Sequence, residues 1–160
     1  MFDNFLIRED SLQNVVQGDR VVGFRMAVRI ADYRGCFLSL HNGYFVSCDG
    51  ETFDRDLQLF EINGKKPRSF DEIKHCVWEH WNYDDEAWLY VRKAGGLAPG
   101  RHLIGLQQSV LAQYGYMPWD EDWVKNPPVP GSGAGAGKTG IVCEFDLILQ
   151  PDMHLSLIHI

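Results

Sequence analysis

One run of residues near the end of the chain has the composition of a phosphate cradle: Gly131-Ser132-Gly133-Ala134-Gly135-Ala136-Gly137-Lys138-Thr139. A nucleotide-binding loop needs a glycine, four residues, then Gly-Lys-Thr. Counting back from Gly137 puts Ser132 where the first glycine belongs, and Gly131 stands one residue too early. Such a loop also works through the backbone amides at the start of a following helix. Here Lys138-Thr139-Gly140 runs into a strand-patterned segment. The run therefore reads as a glycine-rich connection with high conformational entropy, ordered by what it meets and not by phosphate.

The cluster His75-Cys76-Val77-Trp78-Glu79-His80-Trp81 offers metal-ligand and aromatic chemistry together. His75 and Glu79 share a face in either a helix or a strand, and His80 leaves it in both. No three-ligand set follows, so no metal is assigned to this chain. His80 and Trp81, with Tyr83, are the residues expected to stack on a planar aromatic ligand. Acid–base catalysis needs positioned carboxylates. Asp84, Asp85, Glu86, Asp120, Glu121 and Asp122 stand in charge runs and read as a solvated face. No Gly-x-Ser-x-Gly elbow and no Cys–His dyad is evident. His41, beside Asn42-Gly43, reads as a hairpin-tip residue, and His102 as a surface residue at a strand start. No catalytic residue is assigned. Cys36, Cys48, Cys76 and Cys143 form no CxxC pair or zinc-ligand rhythm and read as reduced thiols of a cytoplasmic protein.

The connection from Gly115 to Gly140 is richer in recognition chemistry. It carries Tyr116, Trp119 and Trp123 around the acidic Asp120-Glu121-Asp122, then Asn126-Pro127-Pro128-Val129-Pro130. Connections longer than about 15 residues are usually functional or disordered. Its aromatics either contact a ligand or partner or fold back over the edge of their own domain.

The elements that must position these residues are strands. Val22, Phe24, Met26, Val28 and Ile30 alternate with polar or small residues. So do Ala87, Leu89 and Val91; His102, Ile104, Leu106, Gln108, Val110, Ala112 and Tyr114; and Ile141, Cys143, Phe145, Leu147 and Leu149. His41-Asn42-Gly43, between Gly35–Leu40 and Tyr44–Cys48, predicts a hairpin. Asp49-Gly50 and Asn63-Gly64 predict turns, and Ser69 with Glu72 predicts a capping box opening a short helix over residues 70–77. About eight strands with no helix of ordinary length predict an all-β, antiparallel β-sandwich. The domain spans residues 1–150. Residues 151–160 form a tail, and 155–160 back-translate into the end of a transposase sequencing adapter, so they are read as an artefact and set aside.

At 160 residues and 18.3 kDa the chain makes one domain. Its net charge of −7 speaks against nucleic-acid binding. It shows no signal peptide and no apolar run long enough for a membrane span.

Several segments, in order, carry a family resemblance: Met1-Phe2-Asp3-Asn4-Phe5-Leu6-Ile7, Gln13-Asn14-Val15-Val16, Val22-Gly23-Phe24, Ile30-Ala31-Asp32-Tyr33-Arg34-Gly35, Gly95-Gly96-Leu97-Ala98-Pro99-Gly100-Arg101-His102 and Tyr114-Gly115-Tyr116. Together they resemble the small β subunit of bacterial C-glycoside deglycosidases over roughly residues 1–150. The resemblance implies a β-sandwich paired with a larger, sugar-isomerase-like subunit of the TIM-barrel type in a hetero-oligomer. That partner would hold the catalytic histidine and a divalent metal, usually manganese, with no cofactor on this chain. The complex would be a carbon–carbon lyase that splits sugar from aromatic aglycone, as in flavonoid C-glycosides, once the sugar is in its 3-keto form. This chain would shape or cover the partner's active site. The alternative is a standalone carbohydrate- or aromatic-binding sandwich using Trp81, Trp119 and Trp123.

Overall fold

A computed structural model describes residues 6–31, 35–111, 124–131 and 139–155, with the backbone alone for residues 139 and 140. In chain order the strands are β1 (Gln13–Gln17), β2 (Arg20–Val28), β3 (Cys36–Phe37), β4 (His41–Cys48), β5 (Glu51–Phe53), β6 (Gln58–Glu61), β7 (Arg68–Ser69), β8 (His80–Trp81), β9 (Ala87–Arg92), β10 (Arg101–Val110), β11 (Thr139–Ile148) and β12 (Gln150–Leu155). A short helix, α1 (Phe70–Ile73), follows β7. A six-stranded sheet runs β12-β1-β2-β9-β6-β7, a four-stranded sheet runs β11-β10-β4-β5, and β3 pairs with β8. The chain is all-β.

The core lies between the two larger sheets. Phe24, Met26, Val28, Phe60, Leu89 and Val91 come from one, and Tyr44, Val46, Ile104, Leu106 and Leu147 from the other. Phe24 meets Phe53 edge-on at 5.4 Å across the gap. Buried polar groups also stitch the layers, because an unpaired one would cost more than it contributes. Gln108 accepts from the Ala31 N–H at 2.9 Å and donates to the Arg29 carbonyl at 3.0 Å and the Tyr44 hydroxyl at 3.1 Å.

Two of the predicted turns are tight. Asp49 and Gly50 take φ of 50° and 87°, Asn63 and Gly64 φ of 59° and 70°. The predicted hairpin at His41-Asn42-Gly43 is corrected, because those residues lie inside β4, paired with β10. Tertiary contacts reuse the Asn-Gly signal there. The Asn42 amide donates to the Ser109 hydroxyl and the Pro128 carbonyl. Gly43, at φ 109°, sits where the β4–β10 register shifts, and the Arg55 side chain fills the space beside it. Gly35–Leu40 is likewise a two-residue strand followed by a 3-10 turn over Leu38–Leu40.

The capping box is present, Ser69 and Glu72 bonding reciprocally, but α1 stops at Ile73. Ile141, expected inward, is 66% exposed, where the β10–β11 pairing shifts register between Leu106 and Gln108. Residues 151–155, read as tail, join Gln150 in β12, which pairs with β1 in parallel, an exception among the otherwise antiparallel pairings of the described strands. Pro151 is accommodated because β12 is an edge strand.

Candidate functional site: an anchored aromatic surface

The loop from α1 to β8 presents an apolar surface to solvent. Trp78 is 90% exposed, and Val77, Tyr83, Phe37 and His80 are exposed as well, Phe37 and His80 paired across β3 and β8. A tryptophan so displayed stabilises nothing in its own fold, and large aromatics are enriched where proteins meet partners or planar ligands.

What holds this surface is an ion-pair network on the next residue. Glu79 receives both ends of the Arg68 guanidinium, at 2.9 and 2.7 Å, with Lys65 at 2.9 Å and the Asn63 amide at 2.9 Å. The Arg68 bonds, with smaller contributions from Lys65 and Asn63, offset the cost of burial and hold the Glu79 carboxyl down at about 2. The Glu79 carbonyl accepts from the Leu38 N–H at 2.7 Å, tying the loop to the turn after β3. Gly35 is required by close approach, since a Cβ there would collide with His80 Cε1 and the Trp81 carbonyl. The display is therefore preorganised, with little ordering entropy left to lose on contact.

The structure separates the two neighbouring residues expected to act together. His80 is exposed, its ring edge-on to Phe37 at 5.3 Å and its Nδ1 at 3.0 Å from the Asn82 side-chain oxygen. Trp81 is a core residue with no exposed surface, donating its indole N–H to the Asp85 carbonyl at 2.9 Å and packing on Phe60. Trp78, not singled out from sequence, takes the outward position. Tyr116, Trp119 and Trp123 lie outside the described residues, as do Lys138 and most of the glycine run. The described stretch 124–131 lies back on the four-stranded sheet, with Pro128 bonded to Asn42 and the Gly131 N–H donated to Gln107 at 3.1 Å.

Among the described carboxylates weighed for catalysis, Asp85 and Glu86 have structural partners, Asp85 accepting from the Asn82 amide at 3.3 Å. Glu86 pairs with Arg8 at 2.6 Å and Arg29 at 2.7 Å. His41 is buried, not at a surface tip. It sits in a cage of Tyr44, Phe60, Phe70 and Trp81 with ring centroids 4.7 to 5.2 Å away, and neither ring nitrogen has a hydrogen-bond partner. Burial first, then the Arg55 charge, lowers its pKa to about 3, so the ring is neutral.

His102 is also buried, contrary to its reading as a surface residue. Its Nδ1 lies 2.6 Å from Asp49 Oδ2 and its Nε2 2.6 Å from the Ala98 carbonyl. Burial pulls its pKa down, but the bonds to Ala98 and Asp49 outweigh that and leave it above the ordinary value. Manganese prefers carboxylate, carbonyl and water oxygens. Among the described residues the one convergent ligand cluster, Cys48, Asp49 and His102, contains a thiol and does not suit it. No helix of the described chain is long and apolar enough to cross a membrane.

Fold and surface together define a class: an all-β sandwich that displays exposed aromatics on a loop held by an ion-pair network. Comparison with known proteins gives the family. Residues 2–114 match the family model described as C-glycoside deglycosidase beta subunit. A C-glycoside deglycosidase beta subunit from Eubacterium cellulosolvens is 30% identical over 114 residues, 71% of this chain and 76% of the relative. The chain belongs to the C-glycoside deglycosidase beta subunit family.

Proposed function

We propose that this chain is the small subunit of a cytoplasmic carbon–carbon lyase complex that removes the aromatic aglycone from 3-oxo-C-glycosides. It assembles with a larger, sugar-isomerase-like subunit of the TIM-barrel type and supports or covers that subunit's active site. The observation that carries this reading is the pairing of family membership with an anchored, outward-facing aromatic surface around Trp78.

The chemistry is consistent with such a division of labour. A carbonyl at C3 acidifies the proton on C2 and a base on the larger subunit removes it; the electron pair then forms the C1–C2 double bond as the C1–aglycone bond breaks, and the aglycone ring carbon takes up a proton. A divalent metal, manganese in this proposal, supplies charge stabilisation to the oxygens from the partner's side. The residues of this chain exclude water and fix the orientation of the complex. Trp78, Tyr83, Phe37 and His80 offer flat, weakly hydrated surface for the partner or for the emerging aromatic ring.

The test is reconstitution. The purified chain is expected to be inactive on a 3-oxo-C-glycoside, and activity is expected on mixing it with a sugar-isomerase-like large subunit. Turnover by this chain alone, or failure of the two to associate, would overturn the proposal.

A further inference from the structure

We propose that Cys48, Asp49 and His102 form a zinc-binding site on this chain, at the β4–β5 turn. Their ligand atoms all lie within 4.8 Å of one another. The Asp49 Oδ2 stands 2.6 Å from His102 Nδ1 and 3.7 Å from Cys48 Sγ. A zinc ion bonded at about 2.0 Å to N and O and about 2.3 Å to S spans a triangle of this size once the N···O pair opens slightly.

Consecutive residues of a strand point to opposite faces. Cys48 and Asp49 converge because Asp49 leaves the strand in the left-handed region, at φ 50°. Each ring or carboxylate ligand is then aimed by a bond outside the cluster. His102 Nε2 donates to the Ala98 carbonyl, which leaves Nδ1 directed at the cluster. Ala98 is itself fixed, since the Asn14 amide bonds both the N–H and the carbonyl of Leu97, at 2.8 and 2.9 Å. Asp49 Oδ1 accepts from the Leu103 N–H at 2.8 Å, which leaves Oδ2 directed inward. A backbone carbonyl on the far nitrogen of a ligating histidine is the usual outer-shell arrangement at zinc sites.

One thiolate, one imidazole and one carboxylate favour a borderline ion such as zinc over magnesium, calcium or manganese. The Asp49 side is about half exposed, which leaves a fourth position open to water. On binding, the proton between Nδ1 and Oδ2 and the thiol proton pass to solvent, and bonds form from sulfur, nitrogen and oxygen to the metal. The oxidation states do not change. Cys48 and Asp49 are consecutive but His102 lies 53 residues beyond Asp49, so no spacing motif announces the three together.

The test is cobalt(II) titration of the full chain, followed by displacement with zinc. One equivalent is expected to produce a thiolate-to-cobalt charge-transfer band and the visible bands of a tetrahedral ion, and zinc to bleach both. Cys48→Ser should abolish the charge-transfer band, Asp49→Asn should weaken binding about tenfold or more, and the double variant Cys76→Ser/Cys143→Ser should leave the band intact. X-ray absorption of the zinc-loaded wild type should show one sulfur among nitrogen and oxygen neighbours, a readout that does not depend on any variant folding. A wild-type shell without sulfur, or a charge-transfer band that survives Cys48→Ser, would overturn the proposal.

Discussion

The side-chain amide of Gln58 closes on the backbone of Tyr44 from both sides, accepting its N–H at 3.1 Å and donating to its carbonyl at 2.7 Å. Strand β5 pairs with β4 only from Val46 to Cys48, so Tyr44 lies beyond its reach. Gln58 belongs to the opposite sheet and supplies the missing strand contacts with a side chain, adding a bond to the Phe53 carbonyl at 3.1 Å. Gln58→Ala would leave three backbone groups unpaired in the core. The expected cost is about 3 kcal/mol, at about 1–3 kcal/mol for each group left unsatisfied and with partial relaxation. It would be read as a fall in urea midpoint with an unchanged m-value.

These glutamines mark the boundary of what the sequence discloses. Alternation in β2, β9 and β10 predicts those strands because one face of each carries the apolar core residues, and Asp49-Gly50 and Asn63-Gly64 predict turns because their positive φ suits Gly, Asn and Asp. His41-Asn42-Gly43 misleads because Ser109, Pro128 and Arg55, all distant in sequence, decide its conformation. The same holds at the surface. Trp78 and Trp81 are indistinguishable by residue type. Glu79, gripped by Asn63, Lys65 and Arg68, holds the loop in which one faces outward and the other inward. The Cys48–His102 proximity is equally non-local, set by the register of β4 against β10.

His41 predicts an acid-side loss of stability. An unfolded histidine takes up a proton near its ordinary value of 6.5, whereas the caged ring resists until about 3. Because the folded pKa is lowered, the neutral folded state is unaffected above the ordinary value, and stability falls as pH drops from there toward 3. The slope from this residue approaches about 1.4 kcal/mol per pH unit. His41→Phe keeps an aromatic ring in the cage without a titrating nitrogen. Its denaturation midpoint should therefore be flatter with pH between neutrality and pH 4 than that of the wild type. Equal slopes would mean that His41 is hydrated or bonded in solution.

Glu79 predicts a local effect with a global trace. Its carboxylate and the Arg68 guanidinium are 12% and 11% exposed, so removing one charge strands the other in a poorly hydrated site. Glu79→Gln should cost about 3 kcal/mol. Hydrogen exchange should accelerate most over residues 75–82 if the network anchors that loop. Uniform acceleration across the sandwich would assign Glu79 to general stability.

Trp78 and Trp81 give the sharpest contrast between contact and core. Trp81→Ala removes a fully buried indole that packs on His41 and Phe60, and should destabilise the isolated chain by about 3–5 kcal/mol. Trp78→Ala removes a side chain 90% exposed and should leave the melting curve of the isolated chain within about 0.5 kcal/mol of wild type. If Trp78 is a contact anchor, the same substitution should weaken association with the larger subunit by about 2 kcal/mol, close to thirtyfold in Kd. Calorimetric titration of the larger subunit with each variant measures this directly. Wild-type affinity with Trp78→Ala would move the partner surface elsewhere on the sandwich. Weakened affinity with an unchanged melt would place it at the loop that Glu79 holds.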